Sequence, residues 1–180
     1  MPKLLYSATA SLDGFIAAAG GDMQWLGEHL GENRQAAELI GRIGALLVGA
    51  NTHGGDDPNK GTDKEGAFGG QWRGPEFVLT HEPGADRPPH LFYVDDLERG
   101  IAAAKKAAGE KEYVNVLGAD VARQCIELGA LDEVLVLVAP VMLGDGVRLF
   151  AQAVGAEVPL ERIGVEVEST ATNLWFRVVT

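Results

Sequence analysis

Residues Tyr113–Ala139 read YVNVLGADVARQCIELGALDEVLVLVA, and this stretch decides the class of fold. YVNVL suits a short strand. Gly118-Ala119 turns the chain, and the pattern predicts a helix over 120–128 that Gly129 ends. EVLVLVA, 133–139, is a second apolar run, stopped by Pro140. Strand, helix and strand in so short a span is the alternation of an α/β protein with a mostly parallel sheet.

The same alternation extends in both directions. Residues 3–10 predict a first strand. Residues 32–44 predict a helix with an apolar stripe at Ala36, Leu39, Ile40 and Ile43. ALLVG, 45–49, has the continuous apolar character of a strand buried on both faces. Residues 50–74 are rich in Gly, Asp and Lys without periodicity, an uncommonly long loop inside a compact fold. Strands are expected at 76–80 and 91–94, separated by a turn carrying Pro83, Pro88 and Pro89. A helix follows over 95–108, capped by Asp95 or Asp96, with Ile101, Ala104, Ala107 and Ala108 on one face. VMLGDGVRLF, 141–150, reads as a turn and an apolar cap. A closing antiparallel pair is expected at 165–171 and 174–179, turning near Thr172-Asn173. No boundary interrupts residues 1–180, so one domain is expected.

Composition narrows the function. The chain has 180 residues, a formal net charge of −11 and one cysteine. A nucleic-acid partner needs a basic footprint, which this balance opposes. One cysteine excludes an intrachain disulfide and a cysteine-based zinc site. Cys125 falls on an apolar helix position and reads as a small core residue. The four histidines have no metal-ligand spacing. With no secretory leader and no long apolar run, a cytoplasmic protein without a membrane partner is expected.

In open α/β sheets ligands lie beyond the carboxyl ends of the strands. Small and polar residues collect there: Asp13-Gly14, then Ala50-Asn51-Thr52-His53, then Thr80-His81, then Gly118-Ala119-Asp120-Val121. A Gly-Ala turn opening a helix lets backbone N–H groups approach an anion. No Gly-x-Gly-x-x-Gly and no Walker motif occurs. The chemistry is therefore expected to come from a bound cofactor.

SLDGFIA, ALLVGANTHGG, EFVLTHEP and VNVLGADVARQCIELGALDEVLVLVAPVMLGDGVRLF together resemble the dihydrofolate reductase superfamily. Within it, the nearest branch is the reductase domain of bacterial riboflavin biosynthesis and its stand-alone relatives. The resemblance runs from Lys3 to Thr180. It implies a three-layer α/β fold around a mainly parallel eight-stranded sheet with a C-terminal antiparallel hairpin. It also implies NADPH as hydride donor, a small carbonyl, imine or heterocyclic substrate, and a homodimer. By match of motif, Gly49, Asn51 and Thr52 lie in the loop that opens the cofactor-phosphate site. Thr80 and His81 fall on the adenosine side, Gly118, Ala119, Asp120 and Val121 under the diphosphate and nicotinamide, and Thr9, Ala10 and Ile16 beside the nicotinamide. Met23-Gln24-Trp25 resembles the mobile cover of that ring, with Asp22 and Trp25 on the substrate side.

The chain departs from the family in two places. Many members have Gly-Arg-Arg-Thr where this chain has Gly49-Ala50-Asn51-Thr52, so the arginine contacts to a 2′-phosphate are missing. The usual Gly-Gly before the following helix is Leu117-Gly118, and leucine is expected to distort that turn or push the nicotinamide aside. Lys60, Lys64 and Arg73 are candidate replacement cations. GGDDPNK resembles the Asp-Asp-Pro of the riboflavin-pathway reductase, which makes Asp57 a proton-relay candidate beside Asp13. Asp13 has a second reading, as a turn residue bonding its own backbone, and Asp57 has one as part of a solvated acidic turn. Trp25 is read as either substrate platform or core anchor. The alternative function is a non-catalytic nucleotide- or ligand-binding relative.

Overall fold

The computed structural model describes residues 1–29, 31–85, 88–151 and 157–179. Asp86 and Arg87, in the turn expected at 81–89, lie outside the described residues, as does Thr180. The elements run β1 (Lys3–Ser11), β2 (Phe15–Ala17), α1 (Arg34–Arg42), β3 (Ile43–Gly49), α2 (Ala50–His53), α3 (Ala67–Gly70), β4 (Glu76–Leu79) and β5 (Leu91–Val94). They continue with α4 (Leu97–Ala108), β6 (Tyr113–Leu117), α5 (Ala119–Glu127), β7 (Glu133–Ala139), β8 (Val147–Arg148), β9 (Leu160–Val167) and β10 (Thr172–Val178). Eight strands form one sheet in the order β5-β4-β3-β6-β1-β7-β10-β9. β5 through β7 in that order pair in parallel, and β10 pairs antiparallel with β7 and β9. This is the expected mainly parallel eight-stranded sheet with its terminal hairpin.

Alternation along the strands makes three layers. Leu4, Tyr6, Val114 and Val116 face one way and pack with Ala104 and Ala108 of α4 and Val121 and Cys125 of α5. Leu5, Leu46, Tyr113 and Leu135 face the other way and pack with Leu39 of α1. Ala45, Leu46 and Leu47 are fully buried, as a strand covered on both faces requires. Burial pushes the Cys125 thiol up to about 12, in keeping with a core residue.

Three boundaries differ from expectation, each for a local reason. The helix expected over 32–44 is shorter, because Ile43 already pairs with Tyr113 across the sheet. Its start is set by Asn33, whose side-chain oxygen accepts from the Ala36 N–H at 2.9 Å. The hairpin turn falls at 168–171, closed by the Glu168 N–H donating to the Ala171 carbonyl at 2.9 Å, and not at Thr172-Asn173. Asn173 resembles a turn residue but is buried inside β10, where it exchanges two hydrogen bonds with Asn33 at 2.9 and 3.0 Å. The third difference is a second, two-stranded sheet of β2 and β8, which makes 141–150 more than a turn and cap. Gly146 permits that contact: its φ is 138° and a Cβ there would collide with the Ala17 carbonyl.

Candidate cofactor and active site

β4, β3, β6 and β1 are consecutive parallel neighbours, so their carboxyl ends share one edge. The residues singled out from sequence distribute along it in order. Thr80 and His81 follow β4, Gly49 to Thr52 follow β3, Gly118 to Val121 follow β6, and Thr9 and Ala10 close β1. The contact is closest in the middle. A Cβ on Gly118 would lie 2.5 Å from the Thr52 hydroxyl oxygen and 3.7 Å from the Gly49 nitrogen. A Cβ on Gly49 would lie 3.1 Å from Val121 Cγ2. Gly49, Thr52, Gly118 and Val121 thus meet around one small cradle.

Gly118 has φ 102° and ψ 132°, a conformation open essentially to glycine alone. Leu117 is a regular strand residue opposite Val48, so the expected distortion at 117 is absent: only position 118 carries the positive φ. The first intrahelical bond of α5 runs from the Ala122 N–H to the Gly118 carbonyl, at 3.1 Å. The N–H groups before it have no acceptor within the helix and face the positive end of its dipole. The Asp120 side chain is engaged elsewhere, pairing with Arg123 at 2.8 Å and accepting from Gln124 at 2.8 Å.

The other expected positions are more scattered. Ala10 is buried in the α4/α5-side core and Ile16 packs against it, so neither side chain points along the edge. Thr80 turns the chain, its hydroxyl accepting from the Glu82 N–H at 3.0 Å. His81 and Asn51 are exposed. His53, next to the missing arginine positions, bonds Glu76 at 3.0 Å.

Both candidate proton relays hold backbone. Asp13 accepts from the Ser11 hydroxyl at 2.6 Å and from the N–H groups of Leu143 and Gly144 at 3.0 and 2.7 Å. The Ser11 bond, aided by these amides, holds its carboxyl down at about 2. Asp57 accepts from Asn59 N–H and Gly66 N–H, both at 2.7 Å, and so ties its own loop. Its neighbour Asp56 reaches across to the expected cover: it accepts from the Met23 N–H at 3.0 Å and the Gln24 amide at 2.9 Å. Those bonds, led by Met23, lower its pKa. Asp22 accepts from the Gln24 N–H at 2.8 Å and shapes the start of that cover. The Trp25 ring sits 6.0 Å from the His29 ring, and its indole N–H is buried without a partner.

Sequence reasoning passed over Asn115, a polar residue in the centre of an apolar strand. It is fully buried, and neither its amide oxygen nor its nitrogen has a partner. Trp72, at the end of the long loop, also has a buried indole N–H without a partner. The signal for Asn115 was visible as the N in YVNVL; Trp72 had none beyond its type. Among the described residues no group of His, Cys, Asp and Glu is placed to hold a metal ion.

These features define an α/β domain of the dihydrofolate reductase type, with a glycine-lined cradle at the strand ends. Residues 2–172 match the RibD C-terminal domain family, and the chain belongs to that family. Among solved structures, a putative riboflavin biosynthesis protein from Shewanella sp. PV-4 superposes with a TM-score of 0.75 at 22% identity, over 99% of each chain. The diaminohydroxyphosphoribosylaminopyrimidine deaminase/5-amino-6-(5-phosphoribosylamino)uracil reductase of Thermotoga maritima superposes with a TM-score of 0.66 at 20% identity, over 99% of this chain and 57% of that one. Dihydrofolate reductase of Enterococcus faecalis, complexed with NADP(H), gives a TM-score of 0.60 at 14% identity, over 99% of this chain and 97% of that one. These likenesses are of fold. No helix among the described residues is long and apolar enough to cross a membrane.

Proposed function

We propose that the chain is a nicotinamide-dependent reductase that binds NADPH across the ends of β4, β3, β6 and β1 and reduces a small carbonyl, imine or heterocycle. The observation that carries this reading is the cradle of Gly49, Thr52, Gly118 and Val121 at the start of α5. A diphosphate fits it: two glycines allow close approach of backbone, and the helix start offers N–H donors. The Thr52 hydroxyl has no hydrogen-bond partner among the described residues and is free to bond the same group. When bound, the nicotinamide supplies the hydride.

The chain's own residues orient and shield that ring. Thr9, at the β1 end, stands beside the expected nicotinamide position. The Asp22–Trp25 cover, fastened by Asp56, excludes water, and the Trp25 N–H donates to an acceptor on the substrate. Asp13 stays ionised at neutral pH and acts by clamping the β1–β2 turn to the 143–144 turn. It is a positioning group, and the proton comes from solvent. The homodimer is part of the same reading, supported by apolar Val165 and Val167, which β9 leaves exposed.

The second reading is a ligand-binding relative without hydride chemistry, favoured by the lack of an arginine at Ala50 or Asn51. Titration with NADPH and NADH, followed by tryptophan emission, tests both. Saturation with either and oxidation in the presence of a carbonyl or pterin panel supports the reductase. Saturation without oxidation supports the relative. No saturable change up to about 1 mM, a very weak affinity on any scale, overturns the cofactor site itself.

A further inference from the structure

Asn115 occupies the middle of β6, opposite Leu5 of β1 and Leu46 of β3. By alternation its side chain faces the α1 layer with Tyr113 and Leu117. A carboxamide offers two donors and two acceptor positions. Here all are buried and unpartnered, a defect folds rarely keep without a purpose. It does not stand alone. Ser7 and Thr9 of β1 share that face, one and two alternations nearer the carboxyl edge, and their hydroxyls have no partner among the described residues. A polar line therefore climbs from the sheet centre to the expected nicotinamide position.

What covers this face is unusual. Ala67, Phe68 and Trp72, from the end of the long loop, pack against the Leu5, Leu46 and Tyr113 cluster. Phe68 has φ 55°, the one positive value among described non-glycine residues, and Gly69 and Gly70 follow at 62° and 70°. Three successive left-handed residues, one of them aromatic, make a strained insertion. Its Trp72 N–H is buried without an acceptor. A strained segment with an unmade hydrogen bond is a segment that a better-matched occupant displaces.

We propose that Asn115 is the specificity-determining floor of a ligand niche, that it reads an uncharged lactam edge, and that the Phe68–Trp72 turn fills the niche until ligand enters. The proposal rests on the reductase reading above, whose substrate side it specifies. The carboxamide's adjacent N–H and C=O match the adjacent C=O and N–H of a lactam, giving two reciprocal hydrogen bonds of the kind by which Asn reads adenine. Every side chain of the surrounding cluster is uncharged, so a phosphate or carboxylate at this end would be buried without a counter-ion.

The test uses the full chain with 2-pyridone, uracil and 2-piperidone as probes and 1-methyl-2-pyridone as the control that lacks the N–H. Binding is read by calorimetry and by tryptophan emission, with NADPH titrated in parallel. We expect saturable lactam binding, at least about tenfold weaker for the N-methyl control. The emission change is expected to vanish in Trp72→Phe, and lactam affinity to fall at least tenfold in Asn115→Leu. Asn115→Leu should melt at or above the parent temperature, because an unpartnered polar group gives way to an apolar one of similar size. Lactam binding indifferent to N-methylation, unchanged in Asn115→Leu, or absent for all three probes overturns the niche. NADPH binding with no lactam response overturns the niche alone, whereas absence of NADPH binding tells against the reductase reading. The N-methyl comparison needs no variant, so it stands even if Asn115→Leu fails to fold.

Discussion

Replacing Glu133 by Ala attacks the end of the sheet opposite the candidate site. Glu133 is buried, and its carboxylate accepts from Tyr113 OH and Trp175 Nε1, each at 2.9 Å, and from Lys3 Nζ at 2.7 Å. Arg42 stacks over the Tyr113 and Trp175 rings at 5.0 and 5.2 Å. The Lys3 side chain is 44% exposed, so it rehydrates once its partner leaves, and that ion pair contributes little. The two buried donors have no such escape. Each unsatisfied buried group costs about 1–3 kcal/mol, and the lost side-chain packing adds to it. The sum is about 3–5 kcal/mol, the range found on removing one partner of a buried charged cluster. For a domain of this size about 1 kcal/mol moves Tm by about 2–4 °C, so a fall of roughly 6–20 °C is expected. Calorimetry of Glu133→Ala measures it, with Tyr113→Phe/Glu133→Ala as the coupled pair. A loss under about 2 °C, or strict additivity of the two substitutions, would refute the reasoning.

Other outcomes follow from the site. Asp13 is lowered from 3.8 to about 2 in the fold, so its contribution to stability is present above pH 4 and is lost as pH falls through 2. Asp13→Asn should flatten the acid limb of stability against pH between 4 and 2; an unchanged limb counts against the clamp. Asp56→Ala removes the acceptor for Met23 and Gln24, so amide exchange at Met23 should speed at least about tenfold, with little change in the core. Cys125, raised to about 12 by burial, should resist iodoacetamide at pH 8 in the native state; rapid alkylation by mass spectrometry would show the helix packing to be wrong.

The parallel sheet was legible because its signals are local: continuous apolar runs at 45–49, 113–117 and 133–139, punctuated by Gly and Pro. The strand-end residues followed from topology, since one edge must collect whatever follows each strand. What escaped depends on distant partners. Asn173 looked like a turn residue until Asn33 satisfied its amide. β2 and β8 are too short for periodicity and exist because Gly146 lets two loops touch. The roles of Asp13 and Asp56 are set by amides at Leu143, Gly144 and Met23, which no local pattern announces. Residues 50–74 were read as aperiodic, and they are largely held by side-chain-to-backbone bonds such as those of Asp57. The aromatic insertion at 68–72 has no sequence signature.

The central claim is that the Gly49–Gly118 cradle binds the cofactor diphosphate, and titration calorimetry of NADPH into the parent chain and Gly118→Ala tests it most directly. An added Cβ would meet the Thr52 hydroxyl at 2.5 Å and strain a positive-φ position by about 1–3 kcal/mol. The account predicts saturable binding to the parent and, in a variant still folded by calorimetric melting, affinity at least about tenfold weaker. Equal affinity in the folded variant, or no binding by the parent, would contradict it.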